Sequence, residues 1–225
     1  SEDHLDLNAA HFLSEFRLEA GVPVWRYDIR GCIVEKRVLM PHLQNTVFIT
    51  YRYLCPDGVI RLRLRPSMHF REHEDPVSEV LEKPYKVTAI GDRYEMFSGP
   101  GVPPLRIHLR GPQAGFVLDG GRFKNIFYRV EQSRGYESSG PLWTPGYFRA
   151  TLRHGESSTV VASTEGWEKV LALGPEEALR GEMERRRKLI STAHSSVQRD
   201  WVAELVLAAD QFIITPNTRV ADAAR

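Results

Sequence analysis

The sequence predicts a mainly β protein, a large antiparallel sandwich followed by helices, and three observations predict it. Between Val22 and His73, four β-rich runs follow one another with turn residues between them. From Tyr85 to Val161, many short apolar runs are separated by Gly and Pro at nearly every junction, the spacing of a sandwich rather than of βαβ units. After Ser163 the periodicity changes abruptly to helical.

Ser1 to Ala20 is polar with Phe12, Leu13 and Phe16 scattered through it, and reads as a loop entering a short strand at Phe16 to Leu18. The four runs are Val22–Ile29, Cys32–Met40, Thr46–Leu54 and Val59–Pro66, separated at Arg30-Gly31, Pro41 to Asn45 and Pro56-Asp57-Gly58. Alternation is clearest in the last, with Ile60, Leu62 and Leu64 facing one way and Arg61, Arg63 and Arg65 the other. A period of two with one wet face is the pattern of an antiparallel strand buried on a single side. Asp57-Gly58 between two such runs is a hairpin signal, because a type I′ turn needs positive φ. The four runs are therefore expected to form one antiparallel meander. Arg71 to Pro84 is charged and reads as a solvated connection.

In the second block the expected strands are Tyr85–Ile90, Tyr94–Phe97, Leu105–Leu109, Phe116–Leu118, Ile126–Arg134, Tyr147–Leu152 and Ser158–Ala162. Turns are expected at Gly99-Pro100-Gly101, Pro103-Pro104, Gly111-Pro112, Gly120-Gly121, Gly140-Pro141 and Pro145-Gly146. Pro175-Glu176-Glu177 then starts a charged helix, with Pro in the first turn and acids at the positive end of the dipole. Glu182/Arg186 and Glu184/Lys188 are spaced i,i+4 along it, and Leu179, Met183 and Ile190 make a thin apolar stripe. Gly181 inside this helix costs about 1 kcal/mol relative to Ala. The last helix, Asp200 to Ile214, is apolar nearly all round, with Trp201, Leu205 and Phe212 among its large residues. That is the pattern of a helix covered on several sides. The eleven residues after it are polar and unsuited to cover it, so it is expected to begin a domain that this chain lacks.

Composition narrows the function classes. Thirty basic and 29 acidic residues leave a net charge of +1, so no global field favours nucleic acid or an anionic membrane. Leu205 to Ala209 is far too short an apolar run to cross a bilayer. Cys32 and Cys55 both fall in expected strands and read as buried free thiols, since one bridge is no framework and no metal spacing exists. With no signal peptide at the start, the expected compartment is cytoplasmic. Ser rather than Met at position 1 fits a fragment or a trimmed terminus. No cofactor and no metal is expected. His69 and His73, beside Glu72, Glu74 and Asp75, would lie roughly 13 Å apart if extended, too far for one ion, and read as a solvated loop. Arg61, Arg63 and Arg65 read as a row paired with acids of neighbouring strands, Glu35 among them, rather than as a nucleic-acid contact.

Longer motifs carry a resemblance. Val22-Pro23-Val24-Trp25-Arg26-Tyr27, Val34 to His42, Gln44-Asn45-Thr46 and Leu64 to Arg71 resemble the N-terminal domain of bacterial and archaeal-type glycogen-debranching enzymes (amylo-α-1,6-glucosidases). So do Phe116 to Arg122, Phe127 to Glu131, Arg134-Gly135-Tyr136 and Leu142 to Phe148. Val161 to Glu165 and Leu205 to Phe212 resemble the connection into that family's helical barrel. The resemblance implies an antiparallel β-supersandwich over residues 1–163, without the family's glycine-rich opening strands. It implies that residues 164–225 are linker helices and the first helix of an (α/α)₆ catalytic barrel. The parent activity would be glycoside hydrolysis at α-1,6 branches of glycogen-like glucans, by two carboxylates in the barrel. No catalytic residue is then expected in this chain; its partners would be α-glucan and the barrel of the same polypeptide.

Two further readings stand beside that one: a stand-alone carbohydrate-binding β-sandwich module, and a mutarotase-like epimerase. The latter would need His42, His69 or His108 paired with Glu131 or Asp119, which the spacing does not support. Sugar rings stack on exposed aromatic faces, so Trp143, Tyr147, Tyr136 and Phe148, around a Gly/Pro-rich turn, are candidates for glucan contact or domain docking. Asp119 and Arg122, on the expected Gly120-Gly121 turn, join them, while Trp201, Leu205 and Phe212 are candidates for the domain interface.

Overall fold

The computed structural model describes residues 10–72, 75–81 and 83–213, with the backbone alone at Gly120 and Arg122. The fold is mainly antiparallel β, as expected, in two sheets with helices following. Strands β1 (Leu13–Glu19), β2 (Val22–Ile29), β3 (Cys32–Leu39) and β4 (Thr46–Tyr53) form a meander. It continues through β11 (Ser157–Ser163), β8 (Leu105–Arg110), β7 (Arg93–Phe97) and β6 (Lys86–Ile90) into one eight-stranded sheet. The second sheet has three strands, β5 (Ile60–Leu64), β10 (Ser139–Leu152) and β9 (Gly115–Phe127), with β10 in the middle. A one-turn helix α1 (Arg129–Ser133) follows β9, and α2 (Trp167–Ala172), α3 (Pro175–Thr192) and α4 (Asp200–Asp210) follow β11.

The eight-stranded sheet has apolar residues on both faces and is covered on both. On one face Met96, Ile107, Leu109 and the partly buried Val160 meet Trp143, Phe148 and Ala150 of β10. On the other, Val22, Leu39, Phe48 and Val161 receive Val170 of α2 and Ala178, Leu179 and Met183 of α3. The helices are therefore a third layer packed on the sheet rather than a free linker. Pro175 at the first turn and the Glu177 carboxylate, which accepts from Gly174 N at 3.0 Å, start α3 where expected.

Four expectations are corrected. Pro56-Asp57-Gly58 does not close a hairpin: the free edge of β4 is taken by β11, paired from Ser157–Arg52 to Ser163–Thr46, and β5 crosses to the other sheet beside β10. Gly58 does have φ +86°, yet the bonds around it turn the chain away, Tyr53 Oη donating to Asp57 O at 2.8 Å. A local turn signal cannot register a competing strand about a hundred residues later, whose hydrogen bonds decide the pairing. Ile126 to Arg134 is not one strand, since β9 ends at Phe127 and Arg129-Val-Glu-Gln-Ser makes a helical turn. Gly120-Gly121, Gly140-Pro141 and Pro145-Gly146 are not turns either, because β9 and β10 run through them. The pairing jumps from Thr144–Arg122 to Gly146–Leu118, so extra residues of β9 bulge out opposite Pro145. Gly121, with φ +67°, sits in that bulge, and a Cβ on Gly146 would meet Val117 O at 2.0 Å. Finally, the last helix ends at Asp210, and Ile214 lies outside the described residues.

One buried carboxylate ties the helices to the sheet. Glu182 of α3 accepts from Arg186 Nε at 2.7 Å, from Arg185 Nη2 at 3.0 Å and from the His42 backbone N at 3.2 Å. Arg186 also donates to Ala20 O at 2.9 Å, Arg185 bridges to Asp210 at 2.9 Å, and Gly21 N donates to Glu204 at 3.1 Å. The β1–β2 turn, the β3–β4 connection, α3 and α4 thus meet at one charged cluster. Burial by itself raises the Glu182 carboxyl; the donors from Arg185, Arg186 and His42 outweigh it, and the net position is below the ordinary carboxylate value.

Two outcomes follow for stability. Gly181 is helical with open space where a Cβ would go, so Gly181→Ala should stabilise the chain by about 1 kcal/mol in urea denaturation. Glu182→Gln leaves two guanidinium groups short of a buried partner and should cost about 3 kcal/mol at neutral pH. Folding lowers this carboxyl's pKa, so its contribution is complete at neutral pH. It is lost as pH falls from the unfolded carboxylate range through the lowered folded value. The urea midpoint of Glu182→Gln should accordingly fall less steeply on acidification than that of the parent.

Candidate functional site

The three-stranded sheet is too narrow to cover the eight-stranded one, and a cleft opens where its edge strand β5 stops. Cross-strand register puts Phe16 of β1, Trp25 of β2, Lys36 of β3 and Tyr51 of β4 directly beside one another on the same face. Phe16 and Trp25 are in ring contact, centroids 5.4 Å apart, and Lys36 Nζ stands 5.2 Å from the centre of the Trp25 ring. Tyr27 pairs with Val34 in the next row. Between this face and Ile60, Arg61 and Leu62 of β5 lies a cleft of about 600 Å³, whose other walls are Phe12, Tyr27, Ile29, Cys32, Val34, Lys36 and Tyr51. Phe16 and Leu18 of β1 stay more than 40% exposed. Burial, and after it the neighbouring Tyr27, raise the Tyr51 phenol above its ordinary pKa. Tyr51 is therefore a protonated hydroxyl at neutral pH, able to donate. The lining combines aromatic faces with hydroxyl, ammonium and guanidinium donors, and among the described residues none of its side chains is a carboxylate or imidazole.

Of the residues singled out from sequence, Trp143 and Phe148 are core. Trp143 is 2% exposed, edge-on to Tyr85 with centroids 5.5 Å apart, and its strand bridges to Met68. Phe148 is equally buried, against Tyr94 and Phe116. Neither leaves a ring face for a sugar. Tyr147 points the other way along β10, to the outer face of the small sheet, where the Arg63 and Arg65 guanidinium groups lie 5.4 and 5.3 Å from its ring centre. Arg65 also pairs with Asp119 at 2.7 Å. The acid for the arginine row is thus Asp119, and Glu35, on the other sheet, instead bonds Arg17 at 2.8 Å. Arg122 lies in β9 beside Thr144, and its side chain is outside the described residues. Trp143, Tyr147, Phe148 and Tyr136 do not form one cluster.

Tyr136 is 67% exposed and lines a second, polar cleft of about 860 Å³ with His69, Arg71, Glu131, Arg134 and Glu137. His73 and Glu74 lie outside the described residues, and among those described no group of three or more His, Cys, Asp or Glu is placed to hold a metal. His108 is buried against Asp92, 3.1 Å from its backbone O, and His42 is exposed, so neither pairs with Glu131 or Asp119. On α4, Leu207 is buried, while Trp201 is 72% exposed and Leu205 is exposed with it, as are Phe212 and Ile213 just beyond the helix. No helix among the described residues is long and apolar enough to cross a membrane.

The aromatic cleft was hidden from sequence reasoning for a simple reason. Alternation places Trp25 with Tyr27, and Tyr51 with Ile49, on one face each, but the row exists only once the strand pairings are known.

A family model described as the glycogen debranching enzyme N terminal matches residues 2–159. No curated protein matches the chain.

Trp143→Ala should act through stability and not through a surface. Removing this core ring is expected to cost about 3–5 kcal/mol, measured by urea or thermal unfolding.

Proposed function

The chain belongs to the glycogen debranching enzyme N-terminal family, and on that premise we propose that it is a non-catalytic module of a debranching glucosidase. It contacts α-glucan and supports the (α/α)₆ barrel that hydrolyses α-1,6 branches. The observation that carries this reading is the cleft beside β5: aromatic walls and hydrogen-bond donors, with no carboxylate among the described residues that line it. Pyranose rings present apolar C–H faces for aromatic contact and hydroxyls at their rims. Hydrolysis of a glycosidic bond needs two flanking carboxyl groups, which the described lining does not supply. Binding without turnover is what such a lining can do.

The exposed apolar residues Trp201 and Leu205 of α4, with Phe212 and Ile213 just after it, support docking against the barrel domain. A stand-alone carbohydrate-binding module has no use for such a face, which ranks that reading second. A cytoplasmic location is part of the proposal.

The test is native affinity electrophoresis in gels containing glycogen, with glucose release from branched dextrin assayed in parallel. The parent chain should be retarded, and Tyr51→Ala and Tyr27→Ala should each weaken retardation about tenfold, the loss of one stacking contact. No glucose should appear. Equal retardation of both variants and the parent would remove the cleft as the contact, and an unretarded parent would remove glucan contact altogether. Glucose release by the chain would overturn the non-catalytic reading.

A further inference from the structure

We propose that Cys32 and Cys55 are a dithiol site that closes to a reversible intramolecular disulfide, latching the β4–β5 crossing onto β3. The inference rests on strand geometry and is independent of the glucan reading. In the β3–β4 ladder Val34 faces Tyr53, and the next pair out is held by Leu54 N donating to Ile33 O at 3.0 Å. One further step places Cys55 opposite Cys32, beyond the end of β4. Cys55 is not in a strand, contrary to its sequence-based placement.

The side chains confirm the juxtaposition. Cys55 Sγ accepts from Ile33 N at 2.8 Å and donates to Gly31 O at 3.0 Å. Those two peptide groups flank Cys32, so the Cys55 sulfur lies against the Cys32 backbone, at the cross-strand position from which a disulfide is built. Tyr53 Oη reaches Cys32 Sγ at 3.9 Å, between the two positions in the chain. Both sulfurs are free thiols in this structure.

Their environments assign different roles. Cys32 is half-buried and lines the aromatic cleft, where a small reagent can enter; Cys55 is buried beneath it. The reaction partner is a small-molecule disulfide, RSSR. The Cys32 thiolate attacks one sulfur of RSSR, the S–S bond breaks, and RS⁻ leaves with the proton that Cys32 gave up. The Cys55 thiolate then attacks Cys32 Sγ, the mixed disulfide breaks, and the second RS⁻ takes the Cys55 proton. Two thiols are oxidised and one RSSR is reduced to two RSH. The product ties Leu54 to Val59, the segment that carries the chain from one sheet to the other, to the cleft floor.

The experiment treats the folded chain with oxidised glutathione, alkylates it under denaturing conditions with iodoacetamide and reads the intact mass. The expected product is a monomer that has lost two hydrogen atoms, carries neither alkyl group nor glutathione, and regains both thiols with dithiothreitol. Cys55→Ser should stop at the mixed disulfide and keep one glutathione on Cys32, which also shows that the first step occurs. A wild-type chain that takes up two alkyl groups, or that retains glutathione like Cys55→Ser, overturns the proposal. So does a bridge found only between two molecules.

Discussion

The structure depends on one mismatch of width. An eight-stranded sheet with apolar residues on both faces must be covered on both, and the second sheet has only three strands. Where the small sheet lies, Trp143 and Phe148 fill the space between layers. On the opposite face α2 and α3 do the same work over Val22, Phe48 and Val161. Beyond β5 no described layer follows, and the aromatic row of β1 to β4 borders the cleft. The cores and the candidate site are consequences of the same geometry.

Much of this was legible in the sequence. The runs at Val22–Ile29, Thr46–Leu54 and Ser158–Ala162 match strands almost to the residue, because one face or both had to be apolar and the period of two shows it. The start of α3 at Pro175 was equally legible, since capping chemistry is local. Turn signals were an uneven guide to pairing: Arg30-Gly31 does join the paired strands β2 and β3, but others do not join the strands beside them. Asp57-Gly58 turns the chain, but which edge the next strand meets was settled by β11. Gly120-Gly121 and Pro145-Gly146 read as turns, yet each accommodates a bulge in a long strand.

The candidate site shows the same division. Large rings cluster in sequence around Trp143, yet Trp143 and Phe148 are core and Tyr147 faces outward under two arginines. The rings that border a cleft, Tyr27 and Tyr51, stand 24 positions apart along the chain and meet only through the β2–β3–β4 register. The i,i+4 spacing of Glu182 and Arg186 shows only a local pair; the backbone partner of Glu182 at His42 lies 140 residues away, and that contact belongs to a buried hub. Non-local pairing is invisible to periodicity, whatever the quality of the local signal.

Pro145 stands inside β10, the central strand of the small sheet, where a residue without an N–H ordinarily cannot be placed. The outward loop of β9 across from it removes the acceptor that would otherwise face that gap, so imino acid and bulge fit as pin and socket. A slip of either strand by one residue would put the proline opposite a regular carbonyl and swing Trp143 from the interior to solvent. The small sheet is in this way indexed at a single notch, and the position of β5, and with it the wall of the cleft, is inherited from that notch.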